Sequence, residues 1–155
     1  MNRQIFLIIC SSLLLSASAE FIAIPYGSCG EGFEDLSCTI ESVTVQECDI
    51  IEKKFCELIR GESYQMNMTF IPQFEGSDLS LKAYAIINGK ELPFEEMNSK
   101  ACDYMECPIK KGVQQDYVFN VNVDMLKPRG KFNVRWLMKQ GNENRCCFTN
   151  KFKIA

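Results

Sequence analysis

Apolar and polar side chains alternate with a two-residue period over most of this chain, and a helical period does not recur. Tyr64, Met66, Met68 and Phe70 alternate with Ser63, Gln65, Asn67 and Thr69, so one face of that segment is apolar and the other wet. Leu79, Leu81, Ala83, Ala85 and Ile87 repeat the pattern against Ser80, Lys82 and Tyr84, and Asn88-Gly89 then supplies a hairpin turn ahead of Leu92 and Phe94. It returns at Tyr117, Phe119, Val121 and Val123, at Phe132, Val134, Trp136 and Met138, and at Phe148, Phe152 and Ile154, with a shorter run at Val43 and Val45. Six or seven short strands of this kind, separated by Gly, Pro and Asn, predict an all-β sandwich of two antiparallel sheets.

The first residues point to export. Arg3 is followed by an almost unbroken apolar run from Ile5 to Leu15 and then by Ser16-Ala17-Ser18-Ala19, the small residues a signal peptidase cuts after. Cleavage is expected after Ala19, with residues 20–155 forming one domain, because the run is shorter than the about 20 residues that span a bilayer. Removing the leader takes Cys10 with it and leaves eight of nine cysteines, an even number suited to disulfides in an oxidising compartment. No Cys-x-x-Cys pair is present to suggest zinc instead. Loss of Arg3 also moves the net charge from −3 to −4, with both signs interspersed, which argues against nucleic acid and against a polybasic membrane anchor.

The chain contains no histidine, which excludes Ser-His and Cys-His nucleophilic catalysis, histidine-ligated metals and a histidine pH switch. What remains for an enzyme is carboxylate chemistry, with Glu95-Glu96 or Glu52 as its raw material, and acidic residues near a turn are ordinarily solvated surface. The expectation is a protein that is not an enzyme and needs no cofactor or metal.

The inward faces of a sandwich normally interdigitate into a solid core. Here Met66, Met68 and Met138 join Phe70, Phe94, Phe119, Phe132, Phe148 and Trp136 on those faces, and flexible methionines suit adaptable binding surfaces as well as gap filling. Composition alone does not establish a cavity.

The order of cysteines and their neighbours carries a resemblance. It runs from Cys29-Gly30, through Cys48 and Cys56-Glu57-Leu58-Ile59-Arg60-Gly61, to Cys102 and Cys107-Pro108-Ile109, then Arg135-Trp136 and Cys147-Phe148. Gly61-Glu62-Ser63-Tyr64, Asn67-Met68-Thr69-Phe70 and Leu92-Pro93-Phe94 are the other specific parts. This closely resembles the ML, or MD-2-related lipid-recognition, domain family over the whole of residues 20–155, nearest to its Niemann-Pick type C two branch and that branch's arthropod relatives.

The resemblance implies an immunoglobulin-like fold with an apolar cavity between the sheets. It implies a soluble, secreted or lysosomal carrier of a fatty acid, sterol or hydrophobic semiochemical, or alternatively a lipid-recognition partner of an innate-immune receptor. Delivery of cargo to a membrane or receptor, and a monomeric state, go with it. Carried onto this chain, the wall is Tyr64, Met66, Leu92, Phe94, Val121, Val123, Val134, Trp136 and Phe148, with Lys127 near the mouth to meet a headgroup. The implied bridges are Cys29 to Cys147, Cys48 to Cys56 and Cys102 to Cys107. Cys38 and Cys146 are additional to the family pattern. A fourth bridge between them is the simplest solution, although either of the adjacent Cys146 and Cys147 could take Cys29. Asn67 opens a glycosylation sequon on the polar face of its strand.

Overall fold

The computed structural model describes residues 19–155 apart from positions 35, 95, 96, 98 and 126; nearly all of the expected leader, and Glu95 and Glu96, lie outside the described residues. Among the described residues, eleven strands form two facing sheets. One has the order β1-β3-β6-β9, from Phe21–Ala23, Cys38–Gln46, Ser63–Pro72 and Gln115–Asn122. The other has the order β4-β5-β11-β10-β7-β8, from Asp49–Ile51, Phe55–Leu58, Glu143–Ile154, Gly130–Gln140, Leu79–Ile87 and Lys90–Pro93, with β2 (Tyr26–Gly27) also paired to β11. Among the described residues a single 3-10 turn, Ala101–Asp103, interrupts the strands.

Each long strand buries the face that alternation selects. Tyr64, Met66, Met68 and Phe70 are buried on β6, Leu79, Leu81, Ala83 and Ala85 on β7, and Val134, Trp136 and Met138 on β10. Asn88 and Gly89 both have positive φ, the backbone of the tight turn that joins β7 to β8. The strands that period does not reveal are β1, β2, β4 and β5, each only two to four residues long.

Two departures from simple alternation have local causes. In β3 the ladder with β6 runs Ile40↔Phe70 and then Ser42↔Thr69, which leaves Glu41 as a bulged residue. The extra residue switches parity, so Cys38 and Ile40 before it and Val43 and Val45 after it all pack on the core. On β10, Leu137 points to the outer face and yet is only 9% exposed. Its cross-strand neighbour Cys147 is bonded to Cys29, and the Arg135 guanidinium lies 4.9 Å from the Phe33 ring, so the segment from Cys29 to Phe33 covers that outer face. One pair, β5 with β11, is parallel, where two wholly antiparallel sheets were expected; β5 and β11 are far apart in sequence, so no tight connection dictates their relative direction.

Four disulfides close the fold: Cys29–Cys147, Cys38–Cys146, Cys48–Cys56 and Cys102–Cys107. Strand geometry explains the assignment at the adjacent pair. Successive side chains on a strand point to opposite faces. Cys146, level with buried Met138, therefore points inward to Cys38 of the facing sheet, and Cys147, level with Leu137, points outward to Cys29.

Candidate functional site: the inter-sheet cavity

The sandwich is solid on one side and hollow on the other. Val43, Val45, Met66, Met68, Phe70, Leu81, Met138 and the Cys38–Cys146 bridge fill the space beneath β3 and β6. Towards β9 the sheets separate around a cavity of about 850 Å³. Its apolar wall includes Val121, Val123, Tyr117 and Phe119 from β9 and the residue beyond it, Phe132, Val134 and Trp136 from β10, Phe152 and Ile154 from β11, and Ala83 from β7. Leu58, Phe94, Met97, Tyr104 and Met125 complete it from shorter segments.

A chain of rings forms one side of this wall. Tyr104 and Tyr117 have centroids 5.6 Å apart, Tyr117 and Phe119 5.2 Å, and Phe119 and Trp136 5.1 Å, each pair tilted. Phe148 then stacks behind Trp136 at 6.0 Å with the planes 10° from parallel. Such contacts add to plain burial and fix the rings' orientation. Burial also pushes the Tyr117 phenol above its ordinary pKa, so it stays neutral throughout the range in which the protein would be studied.

The opening is built from the turn before β6 and the segment after β9. Gly61 N–H donates to the Val123 carbonyl at 2.6 Å, Val123 N–H to the Glu62 carbonyl at 2.9 Å, and an Arg60 guanidinium N–H to the Met125 carbonyl at 3.0 Å. Glu62, Ser63, Asn122, Asp124 and Lys127 add polar groups to the lining there, beside Met125, which is 61% exposed. The Lys127 ammonium lies 5.6 Å from the centroid of the Phe94 ring, a cation–π distance, so its stem follows apolar wall. Gly61 has φ +86°, and a Cβ there would lie 3.0 Å from the Met125 sulfur. Gly61→Ala is therefore expected to destabilise the protein by about 1 kcal/mol, most of it backbone strain because the methionine end can move. Urea denaturation measures this, and an unchanged midpoint would remove the turn from this role.

Of the ten residues expected to contact ligand, Phe94, Val121, Val123, Lys127, Val134 and Trp136 come together around the cavity. Tyr64, Met66 and Phe148 are buried but do not line it. Tyr64 serves the opening indirectly: its hydroxyl accepts from Ile59 N–H and donates to Glu62, both at 2.9 Å. Met66 belongs to the packed half, and Phe148 supports Trp136 from behind. Leu92 is 50% exposed, because β8 is the outermost strand of its sheet and the side chain lies where little covers it. The methionines among the lining residues are Met97 and Met125, whereas Met66, Met68 and Met138 fill the solid half. Glu52 is away from the cavity at the surface, where a hydrogen bond from Lys131 holds its carboxyl below the usual carboxylate range.

A β-sandwich whose sheets part along one edge around an apolar space is built to enclose a small molecule rather than to present a surface. The chain belongs to the ML domain family, a family of lipid-binding proteins, whose model matches residues 23–154. Among its relatives, an MD-2-related lipid-recognition protein of Manduca sexta is 29% identical over 147 residues, 93% of each chain. An NPC intracellular cholesterol transporter 2 of Bos taurus is 29% identical over 134 residues, covering 86% of this chain and 85% of that one. The crystal structure of a Niemann-Pick type C2 protein from Japanese carpenter ant superposes with a TM-score of 0.74 at 22% identity, over 85% of this chain and all of the other, and shows the same fold.

Proposed function

We propose that the protein is an exported, soluble carrier that holds one lipid molecule, a fatty acid, sterol or hydrophobic semiochemical, in the cavity between its sheets. The observation that carries this reading is the cavity itself, about 850 Å³ with a predominantly aromatic and aliphatic wall. At about 30 Å³ per water-sized unit, that volume has room for about 28 heavy atoms, the size of one sterol or one long acyl chain. Each buried methylene contributes about 0.8 kcal/mol, offset by the cost of ordering the chain, so wall contacts alone can hold such a ligand with broad specificity. The four disulfides and the sequence of the leader support export. The sequon at Asn67 would place a glycan on the outer face of β6, away from the cavity.

The test is displacement of an environment-sensitive probe from delipidated protein by long-chain acids, alcohols and sterols. Saturable displacement at one site per chain is expected, and failure of every such ligand to displace the probe would refute the carrier reading. Lys127 sets a finer expectation. Its ammonium at the opening can meet a carboxylate, and an exposed ion pair contributes about 0 to 1 kcal/mol, so Lys127→Ala should weaken a fatty acid by up to about fivefold in low salt and leave the matching alcohol unchanged. Equal effects on acid and alcohol would assign Lys127 to the wall only. The relative named for lipid recognition favours a second reading, in which the loaded protein is presented to a receptor. Retention of a stable protein partner in a pull-down with the loaded chain separates the two.

A further inference from the structure

Strand β9 reaches the cavity opening with part of its backbone uncovered. It is the last strand of its sheet, so every second residue turns its N–H and C=O away from β6. Val118 fixes which residues these are. It sits opposite Asn67 of β6, yet its N–H donates to the Tyr104 carbonyl at 3.1 Å, on the side away from β6. Asn120 and Asn122 are in phase with it and turn outward, whereas Val123, out of phase, donates its N–H to the Glu62 carbonyl at 2.9 Å. Among the described residues, the outward N–H and C=O groups of Asn120 and Asn122 have no partner. Edge strands are ordinarily shielded by lysine, proline or a bulge, and residues 118–122 carry none of these. Both asparagines are exposed, and both border the main cavity.

We propose that this open edge is the headgroup site of the cavity, and that Asn120 pairs there with a lipid carrying one amino-acid unit, an N-acyl amino acid. The inference rests on the lipid-carrier reading and specifies its ligand class. The acyl chain lies between the sheets. At the opening the ligand's amide N–H donates to the Asn120 carbonyl and its carboxylate accepts from the Asn120 N–H, the exchange of two bonds that a hydrogen-bonded pair of residues makes in an antiparallel ladder. The length of the edge decides the occupant. It is closed at one end by Tyr104 on Val118 and at the other by the turn in which Lys127 N–H donates to the Asp124 carbonyl. Between them the outward groups of Asn120 and Asn122 span about 7 Å, at about 3.4 Å per residue, which is short for the strand of a partner protein and enough for a single residue. Charge does not select the headgroup, because Glu62 and Asp124 border the opening together with Lys127.

The experiment measures displacement of a fluorescent probe from the delipidated full chain by three ligands: N-palmitoylglycine, its ester counterpart O-palmitoylglycolic acid, in which oxygen replaces the N–H, and hexadecanol. The wild type should bind the amide about fivefold more tightly than the ester, the effect of one hydrogen bond at a solvent-facing site. Asn120→Pro removes the outward N–H and spares the ladder to β6, at a position where an edge strand accepts proline. It should weaken N-palmitoylglycine about fivefold and keep hexadecanol within about twofold of wild type. Amide hydrogen exchange gives a readout that needs no variant, since the Asn120 N–H should be protected by N-palmitoylglycine and not by hexadecanol. Equal binding of amide and ester overturns the edge site and leaves the carrier reading standing. So does an Asn120 N–H that the ligand leaves unprotected, or a folded Asn120→Pro that binds N-palmitoylglycine unchanged or loses hexadecanol equally. Protection that appears without ligand and rises with protein concentration assigns the edge to a second copy of the chain and also overturns it. If none of the three ligands displaces the probe, nor does any fatty acid or sterol, the carrier reading falls as well.

Discussion

The Val121→Trp protein is expected to fold like the parent and to take up a long-chain fatty acid at least about tenfold more weakly. Val121 is partly buried on β9 and lines the cavity, so a larger side chain there grows into empty space and does not have to overpack a filled core. An indole adds about seven heavy atoms over the valine side chain, and each ligand methylene excluded forfeits about 0.8 kcal/mol. A flexible chain can recover part of this by shifting, which is why the expected loss is well below the full sum. Unchanged affinity with an unchanged melting curve would place the ligand elsewhere on the protein.

Removing both long-range disulfides should cost more than the sum of the two single losses, by about 1 to 2 kcal/mol. Cys29–Cys147 and Cys38–Cys146 close loops with sequence separations of 118 and 108, each worth about 4 to 5 kcal/mol if it stood alone in the chain-entropy treatment. They are not independent, because the cysteines lie near one another at both ends. With one bridge in place, the second closes only a loop of about ten residues, worth about 2.5 to 3 kcal/mol. Cys38→Ala with Cys146→Ala, or Cys29→Ala with Cys147→Ala, should each lose about that amount, and the fourfold variant about 7 kcal/mol, enough to unfold many domains of this size. Urea denaturation under non-reducing conditions gives the comparison. Losses that simply add, or a single-bridge variant as unstable as the fourfold one, would contradict this coupling.

The inward faces were legible from period alone because the long strands each have one face in the core. Cys38, Ile40, Val43 and Val45 look out of phase in sequence, and the bulge at Glu41 is what reconciles them. The neighbouring Cys146 and Cys147 looked interchangeable, yet on a strand they must face opposite ways, so only one can reach the facing sheet. The hollow half was harder to see. Alternation reports that Met66 and Val121 both face inward, but it is blind to where the sheets separate, and β6 with β3 lies over the filled part while β9 borders the void. Met97, Tyr104 and Met125 reach the cavity from segments between strands, where no period marks them. Leu92 was misleading because a periodic position on an edge strand can remain uncovered.

In the loaded protein a lipid is expected to occupy the space between the sheets. Native mass spectrometry of the protein recovered from the medium of secreting cells, with extraction and identification of whatever is bound, tests it most directly. The expected spectrum shows one apolar molecule per chain, with the occupied fraction sharply lower for Val121→Trp expressed in parallel. Protein that carries no lipid and accepts none when it is offered, or a bound lipid whose occupancy is indifferent to Val121→Trp, would contradict the claim.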